Sequence, residues 1–200
     1  MTNKLFAALI AAALATGCSS VIDTLNPFAS KPDPKKLPVP LVELPASALV
    51  PKVLWNVSAG SSGDFVFTPV MAGGHVFAAS ADGEVTRYDQ GKQTWRIKTG
   101  QALSGGVGSD GKVVVVGTPK GDVLVYSAED GKAMWTARIG SEVLAPPLVT
   151  EGNVVVRGGD SRIYFYDATD GKKPRIYQRS SPPLSLRVGA EMAASPGVVL

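Results

Sequence analysis

DGKVVVVGTPKGDVLVYSAEDGKAMW, residues 110 to 135, is the stretch from which the rest of the chain can be read. A recognisable copy, GGHVFAASADGEVTRYDQGKQTW, occupies residues 73 to 95, and a weaker one, GNVVVRGGDSRIYFYDATDGKKP, occupies residues 152 to 174. The landmarks keep step: Trp55, Trp95 and Trp135 stand 40 apart (95 − 55, 135 − 95), and so do Gly91, Gly131 and Gly171 (131 − 91, 171 − 131). Within the central copy, residues 112–117 (KVVVVG) form a continuous β-branched run, as a strand packed on both faces requires. Pro119, Lys120 and Gly121 turn the chain into 123–127 (VLVYS), and Glu129, Asp130 and Gly131 turn it again into 133–139 (AMWTARI). Glycine at such turns accepts positive φ without steric cost. With an inner strand near 103–107, each copy is a unit of four antiparallel strands. A period of about forty residues written in strands predicts an all-β fold, a β-propeller whose four-stranded blades stack because none can bury both faces alone.

The same order recurs at 76–80, 84–88 and 94–97, then at 154–158 and 163–166. Gly91 and Gly131 are each followed four residues later by a tryptophan, which places a large ring at the start of the fourth strand, where it fills the gap between blades. Gly171 is followed by Lys172, Lys173, Pro174 and Arg175 with no tryptophan, so the outer strand of the third blade is expected to be irregular or displaced. Residues 52–57 (KVLWNV) carry Trp55 with no preceding strands and read as the outer strand of a blade completed elsewhere. Residues 194–200 (ASPGVVL) read as the beginning of a fourth repeat. The expectation is an incomplete propeller of about three and a half blades over residues 52–200.

The remaining composition agrees with a turn-rich globular body: 44% apolar residues, with 22 Gly and 15 Pro among 200 residues. The formal charge of +3 is spread out, with no run of Lys or Arg longer than two, so no nucleic-acid footprint is visible. Cys18 is the only cysteine, which excludes an intrachain disulfide. His75 is the only histidine, which excludes His-pair metal sites and leaves little for a Ser-His-Asp arrangement; at the entrance to a strand it reads as an edge residue. Asp82, Asp89, Asp110, Asp130, Asp160, Asp167 and Asp170 recur beside turns, where they cap backbone N–H groups. The glycine-rich stretches at 105–111 and 157–161 lack a phosphate-cradling fingerprint.

Ahead of the repeats, residues 1–17 have a secretory signal layout, with Lys4, then an apolar run at 5–14 (LFAALIAAAL) and small residues before Cys18. That run is short for a bilayer span. Leu14, Ala15, Thr16, Gly17 and Cys18 resemble a bacterial lipobox, apart from Ala15 where a larger aliphatic residue is commoner; the resemblance implies a lipidated Cys18, and Ser19 after it implies sorting to the outer membrane. A plain cysteine near an ordinary cleavage site is the bland alternative. Residues 18–51 hold seven prolines, at 27, 32, 34, 38, 40, 45 and 51, which interrupt any helix or central strand. Such a tether reaches at most roughly 100 Å at about 3.1 Å per residue.

The Asp-Gly-x-x-x-Trp repeat resembles that of the quinoprotein-type propellers, whose enzyme members bind pyrroloquinoline quinone and Ca²⁺. Joined to the lipobox, the tether and the segment Pro182, Pro183, Leu184, Ser185, Leu186, Arg187, it is similar to the lipoprotein family of the outer-membrane β-barrel assembly machinery. That resemblance implies an eight-bladed, non-enzymatic periplasmic scaffold without a cofactor, held to the outer membrane by lipid. It implies binding to the POTRA domains of BamA through Leu184, Ser185, Leu186 and Arg187, with nascent outer-membrane proteins as a further partner. Physically, two leucines two apart on an extended segment point the same way, and an arginine beside them adds hydrogen bonds. The structural alternative is that Leu184 and Leu186 begin the inner strand of blade four and face the core. The rival function is a membrane-tethered quinoprotein dehydrogenase, and a weaker third is a polysaccharide or peptide binder.

Overall fold

A strand sandwiched between two neighbouring sheets must be apolar at successive positions, not alternate ones, and Val113–Gly117 (β6) meets this with all five residues buried. In the computed structural model, which describes residues 51–178 and 189–200, Lys52–Leu200 form one unit. Cys18 and the tether up to residue 50, and Leu184, Ser185, Leu186 and Arg187, lie outside the described residues.

Three four-stranded antiparallel sheets follow one another along the chain. The first is Val70–Ala72 (β1), His75–Ala79 (β2), Glu84–Asp89 (β3) and Lys92–Lys98 (β4). The second is Gly105–Ser109 (β5), β6, Asp122–Ser127 (β7) and Ala133–Arg138 (β8). The third is Leu148–Thr150 (β9), Asn153–Arg157 (β10), Arg162–Asp167 (β11) and Arg175–Gln178 (β12). Each is a simple meander, with neighbours in sequence hydrogen-bonded in the sheet. A hairpin, Ala194–Ser195 (β13) and Val198–Val199 (β14), opens a fourth sheet. These are the blades of a partial β-propeller.

The apolar cores are the seams between blades. One cluster joins Phe77, Ala79 and Val85 of the first blade to Val114, Val116 and Leu124 of the second. The other joins Val113, Val115, Val123 and Val125 of the second blade to Val154, Val156, Tyr164 and Tyr166 of the third. β6 therefore deals its valines alternately to two cores, which the period-2 geometry of a strand imposes. At about 1.5–3 kcal/mol for each buried side chain of this size, stacking rather than blade-internal packing holds the unit together.

Three sequence expectations change. The outer strand of the third blade is neither irregular nor displaced: β12 pairs with β11 from Arg162↔Gln178 to Phe165↔Arg175. Backbone ladder hydrogen bonds do not require the tryptophan, so its loss leaves the strand in place. Residues 52–57 are not a strand among the described residues, because nothing there offers them a ladder partner, although Trp55 still packs like its repeats. The tryptophans sit within the outer strands, not at their starts, since β4 begins at Lys92 and β8 at Ala133.

Candidate functional site

What locks one blade to the next is built from a glycine and a tryptophan 36 residues before it (91 − 55, 131 − 95, 171 − 135). Gly91, Gly131 and Gly171 sit at the turns into the outer strands with φ of 81°, 72° and 68°. A Cβ at Gly171 would stand 2.6 Å from Cε3 of Trp135, and one at Gly91 would stand 2.7 Å from Cγ of Trp55. Glycine is demanded twice over, by the left-handed backbone and by the ring lying on it. The indole N–H completes the lock at the two seams between the described blades: Trp95 Nε1 donates to the Ala128 carbonyl at 3.2 Å, and Trp135 Nε1 to the Ala168 carbonyl at 2.9 Å. The same alanines donate their own N–H groups within their blade, Ala128 to the Lys112 carbonyl and Ala168 to that of Gly152. Each of these two rings also packs on its seam's core, and β-bulges at Arg87/Tyr88 and Val125/Tyr126 accompany them.

In the third blade the register partner of Phe165 is Arg175, where the preceding blades pair Arg87 with Trp95 and Val125 with Trp135. Arg175 turns back on its own blade. Its guanidinium lies 5.4 Å from the Phe165 ring centroid, and Nη2 donates to Asn153 Oδ1 at 3.1 Å.

Arg87 is a second tie across the first seam that sequence reasoning missed. Its Nη1 donates to the carbonyls of Ala128 at 2.9 Å and Glu129 at 3.3 Å, 41 and 42 residues away. Its Nε and Nη2 reach the two carboxylate oxygens of Asp89, both at 3.0 Å. His75 Nδ1 lies 2.7 Å from Asp89 Oδ1, and Arg87 Nη2 is 3.0 and 3.1 Å from the two imidazole nitrogens. The Arg87 guanidinium, joined by hydrogen bonds from Thr94 and His75, holds the Asp89 carboxyl down at about 2 against the opposing effect of desolvation. The signal that could have found Arg87 was the alignment of the repeats. With Tyr88, Tyr126 and Tyr166 in step, Arg87 stands where the other copies have Val125 and Phe165, and a cation at an apolar repeat position needs a partner.

Five of the seven turn aspartates behave as expected of caps. Asp110 Oδ1 accepts from the N–H groups of Lys112 and Val113, Asp130 Oδ1 from Lys132, Asp160 Oδ1 from Arg162, Asp167 Oδ1 from Thr169, and Asp170 Oδ1 from Lys172. Asp89 is spent instead on the cluster with His75 and Arg87, and Asp82 makes no cap among the described residues. Among the described residues, no group of three or more His, Cys, Asp or Glu could hold a metal ion.

The segment expected to meet a partner is bracketed by two described residues. Gln178 closes β12 at the outer edge of the third blade, where its Oε1 accepts from Arg162 Nε at 3.1 Å. Gly189 lies on the inner side, lining with Asp64, Phe65, Val66, Ser104 and Leu144 a cavity of about 330 Å³. Asp64, Ser104, Leu144 and Gly189 fall one to a repeat, spaced 40, 40 and 45 (104 − 64, 144 − 104, 189 − 144). Five extra residues thus enter the connection that carries Leu184, Ser185, Leu186 and Arg187. An inner strand in step with the repeat would have placed residue 184 where Gly189 stands.

Comparison with known proteins agrees with this architecture. The sequence model of the family described as "Outer membrane protein assembly factor BamB" matches residues 50–100 and 81–200. A protein of that name from Burkholderia pseudomallei is 38% identical over 177 residues, covering 88% of this chain and 46% of the relative. Another, from Nitrosomonas eutropha, is 41% identical over 148 residues, covering 73% of this chain and 36% of the relative. The chain therefore spans less than half the length of these relatives. The crystal structure of BamB from Moraxella catarrhalis superposes with a TM-score of 0.58 at 29% identity, over 66% of this chain and 40% of that one. With its forty-residue blades, its glycine–tryptophan locks and a family match from residue 50 to residue 200, the chain belongs to the BamB family of outer membrane protein assembly factors.

Proposed function

We propose that this chain is part of a non-enzymatic scaffold that serves outer-membrane protein assembly from the periplasmic side. The observation that carries the reading is the family match over residues 50–200, whose relatives are named as outer membrane protein assembly factors. In this reading residues 1–17 are a signal peptide, Cys18 carries the lipid that holds the protein to the outer membrane, 18–51 are the tether, and 52–200 are blades. Several acyl chains on one cysteine, at about 0.8 kcal/mol per buried CH₂, suffice for stable anchoring. Leu184, Ser185, Leu186 and Arg187 form the contact with the POTRA domains of BamA. The five-residue lengthening of their connection supports this role, because residues added to a repeat are not needed to complete a blade and are available for a partner.

The test is co-purification. Full-length protein with Leu186→Ala and Arg187→Ala together, its fold checked by circular dichroism, is expected to lose BamA while keeping its β-sheet spectrum; retained BamA would remove the contact from this segment. Cys18→Ala is expected to shift the protein out of the membrane fraction. Incubation with pyrroloquinoline quinone and Ca²⁺ is expected to give neither cofactor absorbance nor dye reduction, and a positive result would favour the dehydrogenase reading instead.

A further inference from the structure

We propose that the hollow beside Pro119, between the first and second blades, is a docking site for an acidic segment of another protein, one that carries a carboxylate next to an aliphatic side chain. The site uses none of Leu184, Ser185, Leu186 and Arg187 and does not depend on what they bind.

The hollow exists because one backbone donor is missing from the repeat. Each connection between blades is held by the blade it leaves: residues 99–103 through the Thr99 N–H on the Gly83 carbonyl and the Leu103 N–H on the Ala81 carbonyl, and residues 139–143 through Ile139 on Gly121 and Val143 on Thr118. The grip of the blade being entered is what differs. Gly159 of the third blade donates its N–H to the Glu142 carbonyl at 3.0 Å, and the Asp160 N–H reaches Ser141 Oγ at 3.0 Å. Ala81 of the first blade likewise donates to the Ser61 carbonyl at 2.8 Å. The turn of the second blade is built the same way, since the N–H groups of Ser80, Thr118 and Gly158 each bond the carbonyl four residues on. The residue after Thr118, however, is Pro119, which has no N–H to give. Among the described residues no hydrogen bond joins 99–103 to 118–120 in its place. A cavity of about 320 Å³ remains, lined by Gly100, Gln101, Ala102, Thr118, Pro119 and Lys120. Both walls belong to blades whose four strands are all described.

The lining selects the occupant. The proline ring, the Ala102 methyl and Gly100 offer an apolar hollow, while Gln101 and Lys120 are exposed at its rim. Among the described residues the Lys120 ammonium has no carboxylate partner: Asp122, on the same turn, is engaged by Arg138 at 3.7 Å. An uncompensated cation favours an anion, and a carboxylate accepts from an ammonium and an amide together. The volume lies at the lower end of ligand pockets, enough for one aliphatic side chain beside that carboxylate. Lipid headgroups and nucleic-acid phosphates draw clusters of cations, and a single lysine over an apolar hollow does not suit them.

Amide NMR spectra of the full-length protein, titrated with acetyl-Leu-Glu-amide, read this directly. The Gln101, Ala102 and Lys120 amides are expected to shift and saturate in the millimolar range, while those of Ser141 and Gly159 at the second seam stay in place. The neutral probe acetyl-Leu-Gln-amide is expected to bind about fivefold more weakly, and Lys120→Gln to bring the two probes within about twofold of each other. Ala102→Phe fills the hollow and is expected to abolish the shifts; binding retained in that variant would place the probe elsewhere and overturn the proposal. So would an absence of shifts at the three amides, or equal affinity of the parent for the two probes. Acetate alone, if it moved the same amides at the same concentration, would show a simple anion site and remove the peptide segment as its occupant.

Discussion

The second and third blades are written almost alike, but their outer strands carry different side chains at the same register position. Both present a β-branched strand buried on both faces, β6 and β10, both turn at an Asp-Gly pair, and both pair their outer strand in the sheet. The second blade then sends Trp135 across to Gly171 and the Ala168 carbonyl, while the third folds Arg175 back onto Phe165 and Asn153. Forming the sheet needs only the backbone ladder, which both outer strands keep, whereas the contact of the second blade with the next sheet is made by the Trp135 ring. The difference shows that blade identity and blade cohesion are encoded by different residues.

The largest effect that can be predicted from this contrast is at the wedge itself. Trp135→Ala removes a ring packed on the second core and leaves the Ala168 carbonyl without its donor, and losses of about 3 kcal/mol are expected for such a truncation. Urea unfolding should show the midpoint fall with the slope unchanged. A drop of under about 1 kcal/mol would mean that the valine cluster alone holds the seam.

The glycine opposite the ring comes next. Gly171→Ala adds a Cβ 2.6 Å from the Trp135 ring at a residue with φ of 68°, so backbone strain and displacement of the indole act together. A loss of about 2 kcal/mol is expected. Gly152→Ala, at a similar φ of 71° but with nothing within 4 Å of the added atom, separates the two causes. It should cost only the backbone part, about 1 kcal/mol. Equal losses in the two variants would show that the ring yields at no cost.

The wedge and its glycine were legible in the sequence because both recur at a fixed spacing, and recurrence exposes a structural role without any knowledge of contacts. The four-strand order was legible for the same reason. What could not be read was anything carried by a single copy. Arg87 occurs once, and its reach to the Ala128 and Glu129 carbonyls depends on how blades stack, which period alone does not specify. At Arg175 the absence of tryptophan pointed to a disturbed strand, and that expectation failed because ladder pairing and seam packing are independent. The candidate partner segment was found by motif and resemblance. Its five-residue excess becomes visible only because Gly189 lines the same cavity as Asp64, Ser104 and Leu144.

The first seam carries a tie that the second lacks, and pH can isolate it. Asp89 has its folded pKa lowered from the ordinary 3.8 to about 2, chiefly by its hydrogen bonds from Arg87. A lowered folded value means stability that is fully present above about pH 4 and is lost as the pH falls through about 2. The carboxylate is partly open to solvent, so screening keeps its contribution below that of the Trp135 wedge. Asp89→Asn should therefore lower the urea midpoint at about pH 6, and the gap between variant and parent should narrow as the pH falls from about 4 towards about 2. A gap that stays constant over that range would detach Asp89 from acid sensitivity.

The smallest predicted effect is at Arg175, and it sharpens the comparison with Trp135 most directly. An exposed cation over an aromatic face contributes about 0.5 kcal/mol, and a solvent-exposed hydrogen bond to Asn153 adds little because water replaces it. Arg175→Ala should accordingly change global stability by less than about 1 kcal/mol, against about 3 kcal/mol for Trp135→Ala at the equivalent position. Arg175→Trp tests the converse. A ring there has the register of Trp95 and Trp135, so if register alone sets the wedge, it should swing across the seam towards the fourth blade and raise the urea midpoint. If the backbone around Phe165 instead fixes the direction of the side chain, the new indole should remain on its own sheet and the midpoint should not move. Tryptophan fluorescence, blue-shifted on burial in the first case and solvent-like in the second, distinguishes the two.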